Sequence, residues 1–95
     1  MPAVGVLTME LRIEHAHSLK DKRQVVKSLK ERLRRRHNIA IAEIDYQDLW
    51  QSALLSAVTV SSSRQLAEQV LQAVERDAFR EVGPLLISTT LEWVD

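Results

Sequence analysis

Residues 3–14, AVGVLTMELRIE, alternate with a period of two, Leu7, Met9, Leu11 and Ile13 on one parity and Thr8, Glu10, Arg12 and Glu14 on the other. Such alternation predicts a strand with one buried and one wetter face. From Ser18 the period becomes helical. Val25/Val26, Leu29 and Leu33 form a narrow apolar stripe running to about Arg36. Ser18 is placed to cap this helix, and Asp21 sits three residues on, where a carboxylate suits the positive end of the helix dipole. Asn38 then breaks the helix, and NIAIAEIDY reads as a second strand. Ile39 and Ile41 share one parity while Ile44 and Tyr46 share the other, which predicts a bulge near residues 42–43. After a turn at residues 47–50, QSALLSAVTVSS is apolar on both faces, as a central strand would be. Ser62 with Gln65 suggests a capping box for a second helix carrying Leu66, Val70, Ala73 and Val74. Gly83 and Pro84 precede a fourth strand with Leu85, Ile87, Leu91 and Trp93 on one side.

Strand, helix, strand, strand, helix, strand is the order of the ferredoxin-like α+β sandwich. Right-handed crossovers put the first and third strands in the middle of a four-stranded antiparallel sheet, with both helices on one face. With 95 residues, 45% of them hydrophobic, the chain suits one domain spanning 1–95. It has no cysteine, which excludes disulfides and thiol chemistry. There is no basic leader and no long apolar run, so a cytoplasmic protein that does not enter membranes is expected.

Charge is distributed less evenly than the neutral total suggests. Residues 18–37 carry nine Lys and Arg (20, 22, 23, 27, 30, 32, 34, 35 and 36) against Asp21 and Glu31, a net of +7 that the rest of the neutral chain must balance. A field polarised in this way favours an anionic partner on one side. In the expected topology, His15, His17, Ser18, Lys20, Lys22 and Arg23 gather at one end of the sheet with Glu43, Asp45, Asp48 and Trp50.

SLKDKR at residues 18–23, AEID at 42–45 and DLWQ at 48–51, with the basic helix between the first two, resemble the YlxP-like family of small bacterial proteins of unknown function. The resemblance covers essentially the whole chain. It implies a cytoplasmic ferredoxin-like domain with no assigned catalytic residue, from a family whose genes lie near those for translation and ribosome maturation.

Each charged group admits two readings. Lys27, Lys30, Arg34, Arg35 and Arg36 would neutralise phosphates on a nucleic acid, or would simply solvate a helix whose last turn favours cations. The cluster of Ser18, Lys20, Asp21, Lys22 and Arg23 beside Glu43, Asp45 and Asp48 would be an ion-pair network fixing the helix start. Alternatively, its three carboxylates would hold a divalent metal for phosphate chemistry. His15 and His17 lack partners to complete a metal site. Trp50, in a turn, would stack on a base or fill a partner's pocket, or else would close the end of the core.

The two central strands have no aromatic residues for base stacking, and no glycine-rich phosphate loop or nucleophile elbow is present. The expectation is therefore a binding module without catalytic residues, metal or cofactor, docking on structured RNA or a ribosomal surface. The alternative is a homo-oligomeric protein-interaction module using an apolar sheet face that includes Val4, Val6, Leu86 and Val94.

Overall fold

The computed structural model describes residues 1–94 and has the elements β1 (Ala3–Arg12), α1 (Leu19–Arg36), β2 (Ala40–Asp45), β3 (Ser52–Ser61), α2 (Arg64–Val82) and β4 (Leu86–Val94), with a short 3₁₀ turn at Gly83–Leu85. The strands form one antiparallel sheet in the order β2-β3-β1-β4. This is the ferredoxin-like βαββαβ arrangement, with β1 and β3 central as right-handed crossovers require.

The alternation in β1 decides which face is covered. Leu7, Met9, Leu11 and, just past the strand, Ile13 are buried against Val26, Leu29 and Leu33 of α1 and Leu71, Val74 and Ala78 of α2. Gly5 lies in the same row under α2. A Cβ there would come within 2.8 Å of Leu71 Cδ1 and 3.2 Å of Trp93 Cζ3, so both side chains pack directly onto the strand backbone. The opposite face carries Val4, Val6 and Thr8, paired with Val60, Val58 and Ser56 of β3.

Both α-helices start at serines. Ser18 Oγ accepts from the Asp21 N–H at 3.1 Å, and Asp21 Oδ2 accepts from the His17 N–H at 3.0 Å, a reciprocal cap that agrees with the sequence reading. α2 is capped by Ser63, which accepts from the Leu66 N–H, rather than by Ser62. Ser62 with Gln65 fits the capping-box pattern, but the helix begins one residue later, and the adjacent serine at 63 takes the capping place. α1 ends at His37, in extended conformation, one residue before Asn38. α2 ends at Gly83, whose φ of +56° suits a residue without a Cβ.

Two register details differ from the sequence expectation. The β2 irregularity falls between Glu43 and Asp45, one position later than predicted. In β4, the register with β1 shifts between Glu10 and Leu11. Leu86 therefore pairs with Leu11 and packs on the core instead of joining the open face, while Ile87 is displaced outward. Leu91 and Trp93 share a parity, on the helix-covered side opposite Leu7 and Gly5. No helix among the described residues is long and apolar enough to cross a membrane.

Candidate functional site

The geometry of α1 sorts its cations into three groups. Lys22 stands at the head of the buried stripe, in the series Lys22, Val26, Leu29, Leu33, and its side chain is fully buried. Its ammonium nitrogen donates to the carbonyls of Tyr46 (2.6 Å), Gln47 (3.2 Å) and Ser52 (3.1 Å) and lies 2.9 Å from Glu43 Oε2. Three protons serve the three carbonyls, so the buried Glu43 oxygen makes no directed hydrogen bond and is held by charge. Tyr46 has a φ of 65°, the left-handed region that bulky residues avoid, and its carbonyl makes the shortest of these bonds. Lys22 thus ties the turn between β2 and β3 to the start of α1. Gln51 reinforces that tie from the other side, donating from its side-chain amide to the carbonyls of Glu14 and Ala16.

The flank of α1 facing α2 forms a second group. Arg32 Nε lies 3.2 Å from Asp77 Oδ1 and 3.1 Å from Glu81 Oε2, Arg36 Nη1 lies 3.7 Å from Asp77 Oδ1, and His37 Nε2 lies 3.0 Å from Asp77 Oδ2. Asp77 is buried on α2. Burial opposes its ionisation, but the hydrogen bonds with His37 and Arg32 and the charges of Arg32 and Arg36 outweigh that penalty and hold its carboxyl below the usual aspartate range. Asp77, Arg32 and His37 were not among the site residues expected from the sequence, whereas Arg36, expected there to meet phosphates, turns inward to Asp77. Their signal was a lone acid next to Ala78 in the buried stripe of α2, opposite an Arg-x₃-Arg pair on α1.

The third group lies on the other flank. At about 3.6 residues per turn, Lys20, Arg23, Lys27, Lys30 and Arg34 fall within an arc of roughly 80°, on the side away from Arg32 and Arg36. α2 packs over β1, β3 and β4 while α1 reaches β2, so this flank runs along the β2 edge of the sheet. Lys20, Arg23, Lys27 and Arg34 are exposed and Lys30 is half-buried. Among the described residues none of the five is in an ion pair. Arg35 is likewise exposed and, among the described residues, in no ion pair, but it lies on the solvent side of the helix, beyond the arc.

Of the residues expected to meet at the sheet end, Lys22 and Glu43 do meet. Asp45 instead accepts from the Tyr46 N–H at 2.7 Å, and Asp48 is exposed in the turn. No three His, Cys, Asp or Glu residues among those described come together to hold a metal ion. Trp50 is 53% exposed, beside Leu49 at 51%, so it does not close the core.

A ferredoxin-like sandwich with a buried lysine clamp and a one-sided basic helix defines a fold class, not an activity. The family model described as "Protein of unknown function (DUF503)" matches residues 4–89, and the chain belongs to that family. It is 39% identical over 92 residues to the uncharacterized protein YlxP of Bacillus subtilis (strain 168), covering 95% of this chain and 98% of that one, so the YlxP-like resemblance holds. Among solved structures it is similar to the de novo designed protein Foldit4 (TM-score 0.59, 8% identity, 100% of this chain and 98% of that one). It is also similar to a dimeric ferredoxin-like protein of unknown function from Thermobifida fusca (TM-score 0.50, 13% identity, 96% and 90%). At such identities the likeness concerns the fold alone.

Proposed function

We propose that the chain is a non-enzymatic cytoplasmic binding module that docks on structured RNA, free or on a ribosomal surface, through the outward flank of α1. The observation that supports this reading is the row of Lys20, Arg23, Lys27, Lys30 and Arg34, which meets no acid among the described residues, while the inward cations are neutralised by Asp77 and Glu81. A helix edge of this kind neutralises phosphates without reading bases, which suits central strands that lack stacking aromatics. Trp50, exposed in the turn between β2 and β3, would supply a stacking contact. The test is titration of a labelled RNA hairpin across a salt series. Five phosphate contacts predict that log affinity falls against log salt with a slope of about −4, and a flat response or absent binding contradicts the proposal.

A second reading is self-association through the open sheet face, favoured by the adjoining Val4, Val6, Val58, Val60 and Val94. Under it, Val4→Asp/Val6→Asp would dissociate an oligomer in sedimentation and leave RNA affinity unchanged. An oligomer that survives the double variant contradicts it.

A further inference from the structure

The cations on the outward flank of α1 form two rows. At about 3.6 residues per turn, Arg23 and Lys30 fall on the side of the arc nearer the buried stripe of Val26, Leu29 and Leu33, and Lys20, Lys27 and Arg34 fall roughly 50° further round. Burial agrees with this division: Lys30 is half-buried, whereas Lys20, Lys27 and Arg34 are exposed. Within each row the spacing is seven residues, about 10.5 Å along the axis, and one row is staggered against the other by about half that distance. Across the flank the rows stand roughly 5 Å apart at a helix surface of about 5–6 Å radius, and further apart at the tips of extended side chains.

The surroundings leave both rows open to an anion. On the sheet side, Glu43 is engaged by Lys22 and Asp45 accepts from the Tyr46 N–H. On the solvent side, Glu31 lies about 40° beyond the outer row, at the margin of the flank. Neither α1 nor β2 contains an aromatic residue, so the flank has no platform for stacking the bases of an unpaired strand, and Trp50 lies outside both elements, in the turn. The grip is therefore on phosphates alone. The cations are carried at a fixed pitch by a helix that Lys22 anchors at one end and Asp77 near the other. Such an array suits phosphates that are themselves held at fixed spacing, as in a base-paired stem. The major groove of A-form RNA is deep and narrow, so the phosphates of its two strands face each other closely along its edges.

We infer that the flank takes a base-paired RNA stem across its narrow major groove, with Arg23 and Lys30 on the phosphates of one strand and Lys20, Lys27 and Arg34 on those of the other. The inference rests on the RNA-binding reading above and adds to it the form of the ligand, paired and held by both backbones. No base edge is read, because side chains do not reach the bases through that groove.

The test titrates the protein with three probes in one salt series: a short RNA stem, one of its strands unpaired, and that strand paired with peptide nucleic acid, which keeps the duplex but has phosphates on one side only. The RNA stem is expected to bind most tightly at every salt concentration. On the one-sided duplex the slope of log affinity against log salt should be shallower by about two, the share of Arg23 and Lys30. Arg23→Gln/Lys30→Gln should lower the slope by about two on the RNA stem and barely change it on the one-sided duplex, where the inner row has no phosphate to meet. Thermal unfolding verifies the fold of the variant. An unpaired strand that binds as tightly as the stem, a one-sided duplex with the full slope, or a double variant that loses equally on both duplexes overturns the inference and leaves RNA binding standing. Absence of binding to all three probes overturns it together with the reading it rests on.

Discussion

On the flank of α1 that faces α2, Arg32 and Arg36 reach Asp77 and Glu81; on the flank beside the β2 edge, Lys20, Arg23, Lys27, Lys30 and Arg34 reach no carboxylate among the described residues. The residue types are the same and the helix is the same. What differs is the neighbour: α2 brings Asp77 and Glu81 to one side, while the acids of the β2 edge are engaged elsewhere, Glu43 with Lys22 and Asp45 with the Tyr46 N–H. The lesson is that the +7 of residues 18–37 is not the charge a partner meets. Lys22, Arg32 and Arg36 serve the fold, and the remaining cations define the direction from which an anion would approach.

Substitutions on the three sets should therefore separate stability from binding. The largest effect is expected for Lys22→Met, which keeps the length of the side chain but leaves three carbonyls and the Glu43 carboxylate without their cation. Removing one partner of a buried charged network costs about 3–5 kcal/mol, a large part of a small domain's stability, and urea unfolding should show it. Adding Glu43→Gln should recover part of that loss, because the unpaired carboxylate is gone. If the single variant is as stable as the parent, Lys22 is not the clamp described above.

Asp77→Asn should cost less, about 2 kcal/mol by the same measurement, since Arg32, Arg36 and His37 keep some access to solvent. It also has a signature in pH. The folded-state pKa of Asp77 is lowered from the ordinary 3.8, so its stabilisation is fully present above that value and is lost as pH falls through the lower folded-state value. The gap in stability between parent and Asp77→Asn should therefore still be present at about pH 5 and close in stronger acid. A gap that instead widens below pH 4 would contradict the assignment.

On the open flank, Lys27→Gln/Lys30→Gln/Arg34→Gln should leave stability within about 0.5 kcal/mol, as surface changes away from packed features do. Trp50→Ala should be equally mild in thermal unfolding, because the indole is more than half exposed. A marked drop in melting temperature for either would mean that these side chains support the fold after all.

The strand and helix periods of β1, α1, β3 and α2 were legible in the sequence because each is carried by repeated local choices. The site was legible only in part. Of the ion-pair network expected between residues 18–23 and the acids at 43, 45 and 48, Lys22 and Glu43 form a pair, but the burial of Lys22 and its three carbonyl partners were not read, although its spacing to Val26, Leu29 and Leu33 already placed it on the buried stripe. Asp77 was hidden for the same reason: a lone acid in an apolar stripe announces a partner without naming it. The exchange of Leu86 and Ile87 between faces depends on how the Gly83–Leu85 turn delivers the chain to β1, a tertiary constraint that parity within one strand does not contain.

The most direct test of the account compares the salt dependence of RNA affinity in the parent, in Lys27→Gln/Lys30→Gln/Arg34→Gln and in Arg35→Gln. Each phosphate-contacting cation contributes about one to the slope of log affinity against log salt. The triple variant should reduce the slope by about three, and Arg35→Gln, outside the arc, should barely change it. Equal loss per residue in the two variants would show diffuse attraction to the whole helix, and an unchanged slope in the triple variant would contradict a binding surface on the outward flank of α1.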